Sequence, residues 1–290
     1  MNLVSGYVVQ AMAEMGVTII TVCHNSMEVL PKMLASVPIS VPVVIVDNAS
    51  QDGAALAELA AGRGAHLIRN DENRGFGVAC NQGAAAAKTE FLLFLNPDAE
   101  LLPEALGELV AAMTRYPQAS AMNPRIADGN GHPYFKHRSV IMPKSERMPR
   151  GWPDTDREVT VLSGAALFVR RAGFEAVGGF DENIFLYHED DDLSRRLRAE
   201  CGPIMFIRQA EVRHLEGHSS VRSPASAAFK ARHMGRSRVY AMRKHGRPLP
   251  LLRSVISALL QLANPLLLLS SRSRAKRWAF LRGVLSARRS

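Results

Sequence analysis

The chain has 290 residues, 47% of them apolar, which is enough for a full hydrophobic core and excludes a disordered or fibrous protein. The net charge of +9 is unevenly spread: Ser219 to Ser290 holds 16 Lys/Arg and no Asp or Glu, leaving 20 basic and 27 acidic residues in the 218 before it. An acidic body with a cationic tail points to an anionic partner for the tail, either nucleic acid or anionic lipid. Cys23, Cys80 and Cys201 are odd in number and lack CxxC spacing, which argues against a disulfide framework or zinc site and fits a reducing cytoplasm. The first residues carry no charged segment ahead of a long apolar core, so no signal peptide is expected.

In chain order, apolar runs at Val17–Val22, Val43–Asp47, His66–Arg69 and Phe91–Leu95 read as strands, buried and parallel. Amphipathic or Ala-rich helices are expected between and after them, at Glu28–Val37, Ala54–Ala61, Val78–Lys88 and Pro103–Arg115. Such alternation predicts an open α/β sheet. Ala119–Asn123 reads as a further strand. Between Asp128 and Asp156 the periodicity dissolves into Gly, Pro, His, Lys and Arg, as in a long loop that covers a substrate. Val159–Arg170 reads as one strand-like run, and Glu189–Glu200 as a helix with its acids in the first turn. The tail holds a basic helix near Ala225–His245, an apolar one near Leu249–Leu269 and a basic one near Arg272–Arg288. The best apolar run, Val255–Leu269, is broken by Asn264-Pro265 and is too short to span a bilayer.

Two acidic motifs stand out. Asn96-Pro97-Asp98 follows the Phe91–Leu95 strand, and Glu189-Asp190-Asp191-Asp192 follows Phe185-Leu186-Tyr187-His188. A carboxylate at a strand end sits on the sheet rim, where α/β proteins bind ligands. Four consecutive acids repel one another unless a cation, a helix N-terminus or a proton relieves them. Asp47 ends a strand within VVIVDNASQDG, serving either as turn chemistry or as a ligand to a base or ribose. Gly75-Phe76-Gly77 begins a GxGxxG that Cys80 fails to complete, but it leaves a Gly-hinged helix start beside Arg74 that suits a diphosphate. No GxxxxGK[ST] is present, which argues against a P-loop enzyme. His214, with Asp98 and the acidic helix, could complete a divalent site.

Taken in order, TIITVCHN, VVIVDNASQDG, NDENRGFGVACNQG, FLLFLNPDAELLPEAL, VLSGAALFVRRAGFEAVGGFDENIFLYHEDDDLSRRL and EVRHLEGHSS resemble a family 2 inverting glycosyltransferase of the rhamnosyltransferase-like branch, from about Val17 to Ser219. The resemblance implies a GT-A fold, an open mixed α/β sheet flanked by helices, as a catalytic domain over residues 1–219. Residues 220–290 then form a basic and apolar helical extension. It implies that Val22, Asn25, Asp47, Asn73 and Arg74 bind the nucleotide. Asp98, at the last position of a DxD-type motif whose first position is Asn96, and His214 would hold Mg²⁺ or Mn²⁺. Asp190, beside Glu189, would be the catalytic base. Ser163, Gly164, Gly179, Asp181 and Asp192 would line the sugar and acceptor pocket.

The chemistry implied is sugar transfer, rhamnose favoured, from a nucleoside diphosphate to an acceptor hydroxyl in cell-surface polysaccharide synthesis. The donor would be dTDP-rhamnose or a UDP-sugar, and the acceptor a lipid-linked or other saccharide. A glycosidase would need a carboxylic acid to protonate the leaving group, whereas a metal-bound diphosphate leaves without one. The rival readings are a nucleotidyltransferase and a non-enzymatic cationic protein that binds nucleic acid or membrane. Nucleic acid is disfavoured because the tail offers few aromatics for stacking: Phe229, Tyr240, Trp278 and Phe280. Its basic residues around an apolar run instead suggest peripheral attachment to an anionic membrane surface, on the cytoplasmic face of the inner membrane, the alternative being a tail helix pair packed on the catalytic domain with its apolar face buried there.

Overall fold

The computed structural model of the chain describes residues 16–215, 223–263 and 270–287. The N-terminal reading, the Glu216–Ser219 end of the histidine motif and the Asn264-Pro265 break lie outside the described residues. Nine strands form one sheet: β1 Val17–Cys23, β2 Val43–Asn48, β3 His66–Asn70, β4 Phe91–Leu95, β5 Ala99–Leu101, β6 Ala121–Asp128, β7 Arg157–Val159, β8 Ala166–Arg170 and β9 Ile204–His214. Their order is β3-β2-β1-β4-β8-β6-β9-β5, with β7 also pairing β9. The first four strands pair in parallel, as their continuous apolar runs predict. β8 is antiparallel to both β4 and β6, and β5 and β7 are antiparallel to β9, so the sheet is mixed.

Alternate side chains leave the sheet on opposite faces. Ile19, Ile45 and Leu93 join one core, while Ile20, Val46, Leu92 and Phe94 join the other. Helices α1 Leu30–Ser36, α2 Gly53–Arg63 and α4 Ala105–Arg115 seal the first face with Leu30, Met33, Leu56, Leu106 and Leu109. Helices α3 Phe76–Ala86, α5 Arg171–Ala176 and α6 Glu189–Glu200 seal the second with Ala79, Cys80, Phe174, Leu193 and Leu197. Each strand–helix pair brings its carboxyl end to one rim, where the polar turns lie.

Two sequence expectations are corrected. The run Val159–Arg170 is not one strand but β7 and β8, separated by Thr160–Ala165. There the backbone bonds side chains instead of a ladder: Leu162 N–H donates to Ser194 Oγ (3.0 Å) and Ser163 N–H to Asn123 Oδ1 (2.6 Å). β6 begins at Ala121 and continues to Asp128 through a register shift after Pro124, a residue that cannot donate to the ladder. β9 is a long strand that the polar interruptions Arg208, Gln209, Glu211 and Arg213 conceal in the sequence.

The tail forms α7 Pro224–Lys244, α8 Pro250–Ala263 and α9 Ser271–Ser286. Ser223 and Ser270 cap α7 and α9, accepting from Ser226 N–H and Ser273 N–H (3.0 Å each). α7 is bound to the body: Ala241 and Met242 share a cluster with Ile141, Met142, Val161 and Ile184. α7 and α9 cross with their backbones touching, since a Cβ on Gly283 would lie 1.9 Å from Arg232 O and one on Gly235 2.4 Å from Phe280 O. α8 keeps an apolar side open, with Leu252 52%, Ile256 47% and Leu260 67% exposed. Among the described residues no helix is long and apolar enough to cross a membrane.

Candidate active site

The nucleotide-side residues assemble at the carboxyl ends of the parallel strands. Cys23 at the end of β1 pairs with Asp47 in β2, and Val22 lies one residue earlier, partly buried. Asn25 adopts a left-handed backbone (φ 57°), and its Oδ1 accepts from Gln51 N–H (2.9 Å) while its N–H donates to Ser50 Oγ (2.8 Å). Asp47 is fully buried, accepting from Ser50 N–H (2.9 Å) on one oxygen and from Arg69 Nε (3.1 Å) on the other. Asn48 Nδ2 donates to Gly75 O (3.0 Å), and Asn73 Oδ1 accepts from Gly75 N–H (3.0 Å), so the start of α3 is tied to the same rim. Arg74 is exposed there. Gly75 is required: its φ is +90°, and a Cβ would meet Phe185 O at 2.6 Å.

Asp98 and His214 are brought together by pairing of β5 with β9, Ala99 standing opposite His214. Both are buried, and His214 Nε2 lies 3.2 Å from Asp98 Oδ1 and 3.4 Å from Asn96 Nδ2. His214 Nδ1 is buried without a hydrogen-bond partner. The Asp98 carboxylate oxygen and His214 Nε2, side by side, are a donor pair that fits a divalent cation. Among the described residues no group of three or more His, Cys, Asp or Glu could hold a metal, so the remaining ligands would have to come from a bound diphosphate and water.

The acidic turn opens α6 after two consecutive left-handed residues, Tyr187 (φ 66°) and His188 (φ 73°). Its four acids then point to four different surroundings. Glu189 is buried, its Oε2 has no partner, and burial together with the adjacent Asp190 charge pushes its carboxyl up to about 8. Near neutrality it therefore keeps its proton. Asp190 lines the cavity; Gly164 N–H donates to its Oδ2 (2.9 Å), and Lys136 Nζ sits 2.6 Å from its Oδ1. Asp191 is buried between Lys136 Nζ (2.8 Å) and His188 Nδ1 (2.8 Å); burial opposes its charge, but these partners prevail and hold its carboxyl below the usual range. Asp192, fully buried, is clasped by Arg196 (2.7 Å), His245 Nε2 (2.7 Å) and Lys244 Nζ (2.8 Å).

The expected sugar and acceptor residues thus divide. Ser163 lines the cavity, and Gly164 backs Asp190. Gly179, Asp181 and Asp192 lie outside its lining: Gly179 O accepts from Arg196, and Asp181 accepts from Tyr240 Oη (2.9 Å) and Lys244 Nζ (2.6 Å). Asp181 and Asp192 thereby fasten the end of α7 to the body.

The cavity measures about 910 Å³, in the upper part of the range for small-molecule sites. Its floor is Glu189, Asp190 and Asp191, and its walls come from the Pro133–Arg147 segment and from α7. Tyr134 lines it and packs edge-on against His214 (5.1 Å between ring centroids), linking it to the Asp98 side. Lys136 escapes the sequence reading because it lies in an aperiodic basic loop. Its signal is indirect: four adjacent acids require a cation, and the loop supplies one.

Comparisons with known proteins agree with this geometry. Residues 18–178 match the signature of "Glycosyl transferase family 2". The chain is 30% identical over 300 aligned residues, 89% of its own length and 95% of the relative's, to an N-acetylglucosaminyl-diphospho-decaprenol L-rhamnosyltransferase of Mycobacterium tuberculosis. Among solved structures it resembles S. aureus TarS residues 1–349 (TM-score 0.56, 16% identity, 94% and 91% of the two chains covered). It spans 39% of the longer TarS chain. It also resembles the mannosyltransferase PcManGT of Pyrobaculum calidifontis, solved with GDP-Man and Mn²⁺ (TM-score 0.56, 15% identity, 93% and 86% covered). These structural likenesses establish a GT-A fold. With the signature covering more than half of the residues and one relative alike along nearly its whole length, the chain belongs to glycosyl transferase family 2 and is a glycosyltransferase.

Proposed function

We propose that the enzyme moves rhamnose, with inversion, from a nucleoside-diphosphate donor to a hydroxyl of a lipid-linked saccharide. The observation that carries this reading is Asp190, set in the cavity floor by Gly164 N–H and Lys136 Nζ beside the buried Glu189. Asp190 takes the acceptor hydroxyl's proton as its oxygen bonds the anomeric carbon, and the bond from that carbon to the diphosphate oxygen breaks on the opposite face. A positioned base of this kind contributes about 10²–10⁴-fold. Val22, Asn25, Asp47, Asn73 and Arg74 hold the nucleotide on the sheet rim. Asp98 and His214 would hold Mg²⁺ or Mn²⁺, which when bound neutralises charge on the departing diphosphate.

Rhamnose and a lipid-linked acceptor are supported by the name of the M. tuberculosis relative, and a nucleotide donor with a divalent cation by the GDP-Man and Mn²⁺ of the mannosyltransferase neighbour. dTDP-rhamnose is the favoured donor and a UDP-sugar the alternative. The open apolar side of α8, with exposed Trp278 and the basic Arg272, Arg274 and Lys276 of α9 close behind, suits attachment to an anionic bilayer surface, on the cytoplasmic side. The body, residues 1–219, then carries the chemistry and residues 220–290 the attachment.

The test is a panel of nucleoside-diphosphate sugars with a lipid-linked N-acetylglucosamine acceptor, read as enzyme-dependent release of nucleoside diphosphate. Release is expected with dTDP-rhamnose, abolished by chelator and restored by Mg²⁺ or Mn²⁺. Absence of release with every donor, or equal release in chelator, would refute the mechanism.

A further inference from the structure

The wall of the cavity opposite the acids is built from cations. Arg138, Lys144 and Arg147 come from the loop, Arg238 from α7, Arg247 from the α7–α8 connection and Arg253 from α8. Among the described residues none of the six forms an ion pair with a carboxylate. The nearby acids are already engaged: Glu146 by Arg198, Asp181 and Asp192 by Lys244. Arg238 Nε, Arg247 Nε and His137 Nδ1 are buried with no partner, although buried polar groups are normally satisfied. Burial, and next the charge of Arg253, lowers the proton affinity of Arg238, so these cations meet without compensation. Asp190 and Asp191 on the floor of the hollow are held by Lys136, so the six cations lack a carboxylate of their own, and an anionic ligand would relieve their mutual repulsion.

The hollow also has an apolar exit. Arg238 and Arg253 line a second groove of about 460 Å³ with Ile256, Ser257, Leu260 and Gln261. Ile256 and Leu260 belong to the open apolar side of α8. From floor to exit the molecule presents a base, then a cationic wall, then an apolar track. That is the sequence of groups along a sugar hydroxyl, a diphosphate and a hydrocarbon chain.

We infer that Arg138, Lys144, Arg147, Arg238, Arg247 and Arg253 bind the diphosphate through which the acceptor saccharide is joined to its lipid, and that the lipid chain leaves along Ile256 and Leu260. This rests on the glycosyltransferase reading of Asp190 and assigns residues of this chain to a diphosphate linkage of the kind that the M. tuberculosis relative's name contains. The diphosphate holds the saccharide with a hydroxyl toward Asp190, so the enzyme selects acceptors by their linkage as well as by their sugar.

The probe is farnesyl diphosphate, which carries the diphosphate and chain without a sugar, titrated into the full chain in neutral detergent with chelator present so that metal-dependent donor binding is silent. Wild type is expected to bind it and not farnesol. Arg238→Gln combined with Arg253→Gln is expected to weaken binding at least tenfold while its thermal midpoint stays at or above wild type, because like charges are removed. Arg147→Glu, at an exposed loop position where misfolding is not at issue, is expected to weaken binding as well. Unchanged affinity in both variants, or equal binding of farnesol, overturns the inference. Displacement of farnesyl diphosphate by phosphatidylglycerol vesicles at equal phosphate concentration would also overturn it, by assigning the cations to bilayer headgroups. Binding is measured without turnover, so a protein that binds the probe yet releases no nucleoside diphosphate would sink the catalytic reading and leave this one standing.

Discussion

Replacing Glu189 with Gln tests the electrostatics of the acidic turn. The carboxyl is raised from 4.5 to about 8 in the folded protein by burial and by Asp190, and the unfolded chain ionises near the ordinary value. The folded state therefore retains a proton that the unfolded state releases. The stability linked to that proton is fully present below about pH 4.5, falls as pH rises, and is gone once pH has passed 8. Each pH unit in that window costs about 1.4 kcal/mol, so wild type loses about 3 kcal/mol from this group between pH 6 and 9. Gln copies the neutral acid and cannot ionise. Other titrations are common to both proteins and cancel in the difference. At about 2 °C per kcal/mol for a chain of this size, the melting temperature of Glu189→Gln relative to wild type should rise by about 6 °C from pH 6 to pH 9. Thermal denaturation by circular dichroism across that range is the assay. A difference that stays flat with pH, or that moves against the variant at high pH, would show that Glu189 is already ionised and that the division of roles among the four acids is wrong.

Asp190→Asn should lower transfer by about 10²–10⁴-fold while donor affinity, measured by nucleotide titration, changes only a few-fold; near wild-type turnover would move the base elsewhere. Lys136→Met should destabilise the fold by about 2 kcal/mol in urea at pH 8, less than for a fully buried pair because Lys136 is 25% exposed; a neutral result would mean that solvent already screens Asp190 and Asp191. Gly283→Ala places a methyl 1.9 Å from Arg232 O, so α7 and α9 must separate, at a cost of about 1–3 kcal/mol in a denaturant midpoint; an unaltered midpoint would deny that the crossing is close-packed. Leu252→Asp with Leu260→Asp should abolish flotation with anionic liposomes at low salt, and persistence of flotation would place the attachment elsewhere.

The parallel half of the sheet was legible because β1, β2 and β4 are buried on both faces and mostly apolar, with only the small β-branched Thr18 and Thr21 within β1 and Asp47-Asn48 at the end of β2. The boundaries of α6 were legible for the opposite reason, an acidic start before the buried Leu193 and Leu197. β9 was not, since its two halves pair with different neighbours, β7 at Ile204–Phe206 and β5 at Val212–His214, and only the tertiary arrangement decides which faces are covered. The bend between β7 and β8 was hidden because its backbone donors are satisfied by Ser194, Asn123 and Asp190, residues 26 to 40 positions away in the chain. Asp98 and His214 could be put together from their ligand chemistry and from the resemblance. Lys136 and the arginines could not, because a loop cation declares its partner only when the loop is folded.

The two left-handed residues before α6 set something that composition cannot express, the phase of a helix. Each such non-glycine residue stores about 1–3 kcal/mol, and together Tyr187 and His188 fix the angle at which the first turn leaves the loop. Successive positions on that turn are about 100° apart, so a single residue added or removed between Phe185 and Glu189 would rotate every acid into its neighbour's place. With one residue removed, Asp191 would take the place of Asp190 beside Gly164 and Asp190 the buried place of Glu189, while the grip of Asp192 on Lys244 and His245 would pass to Leu193. Four carboxylates that look interchangeable on paper are separated by azimuth, and a change in loop length, however mild in character, would be read by this enzyme as a change of catalytic residue.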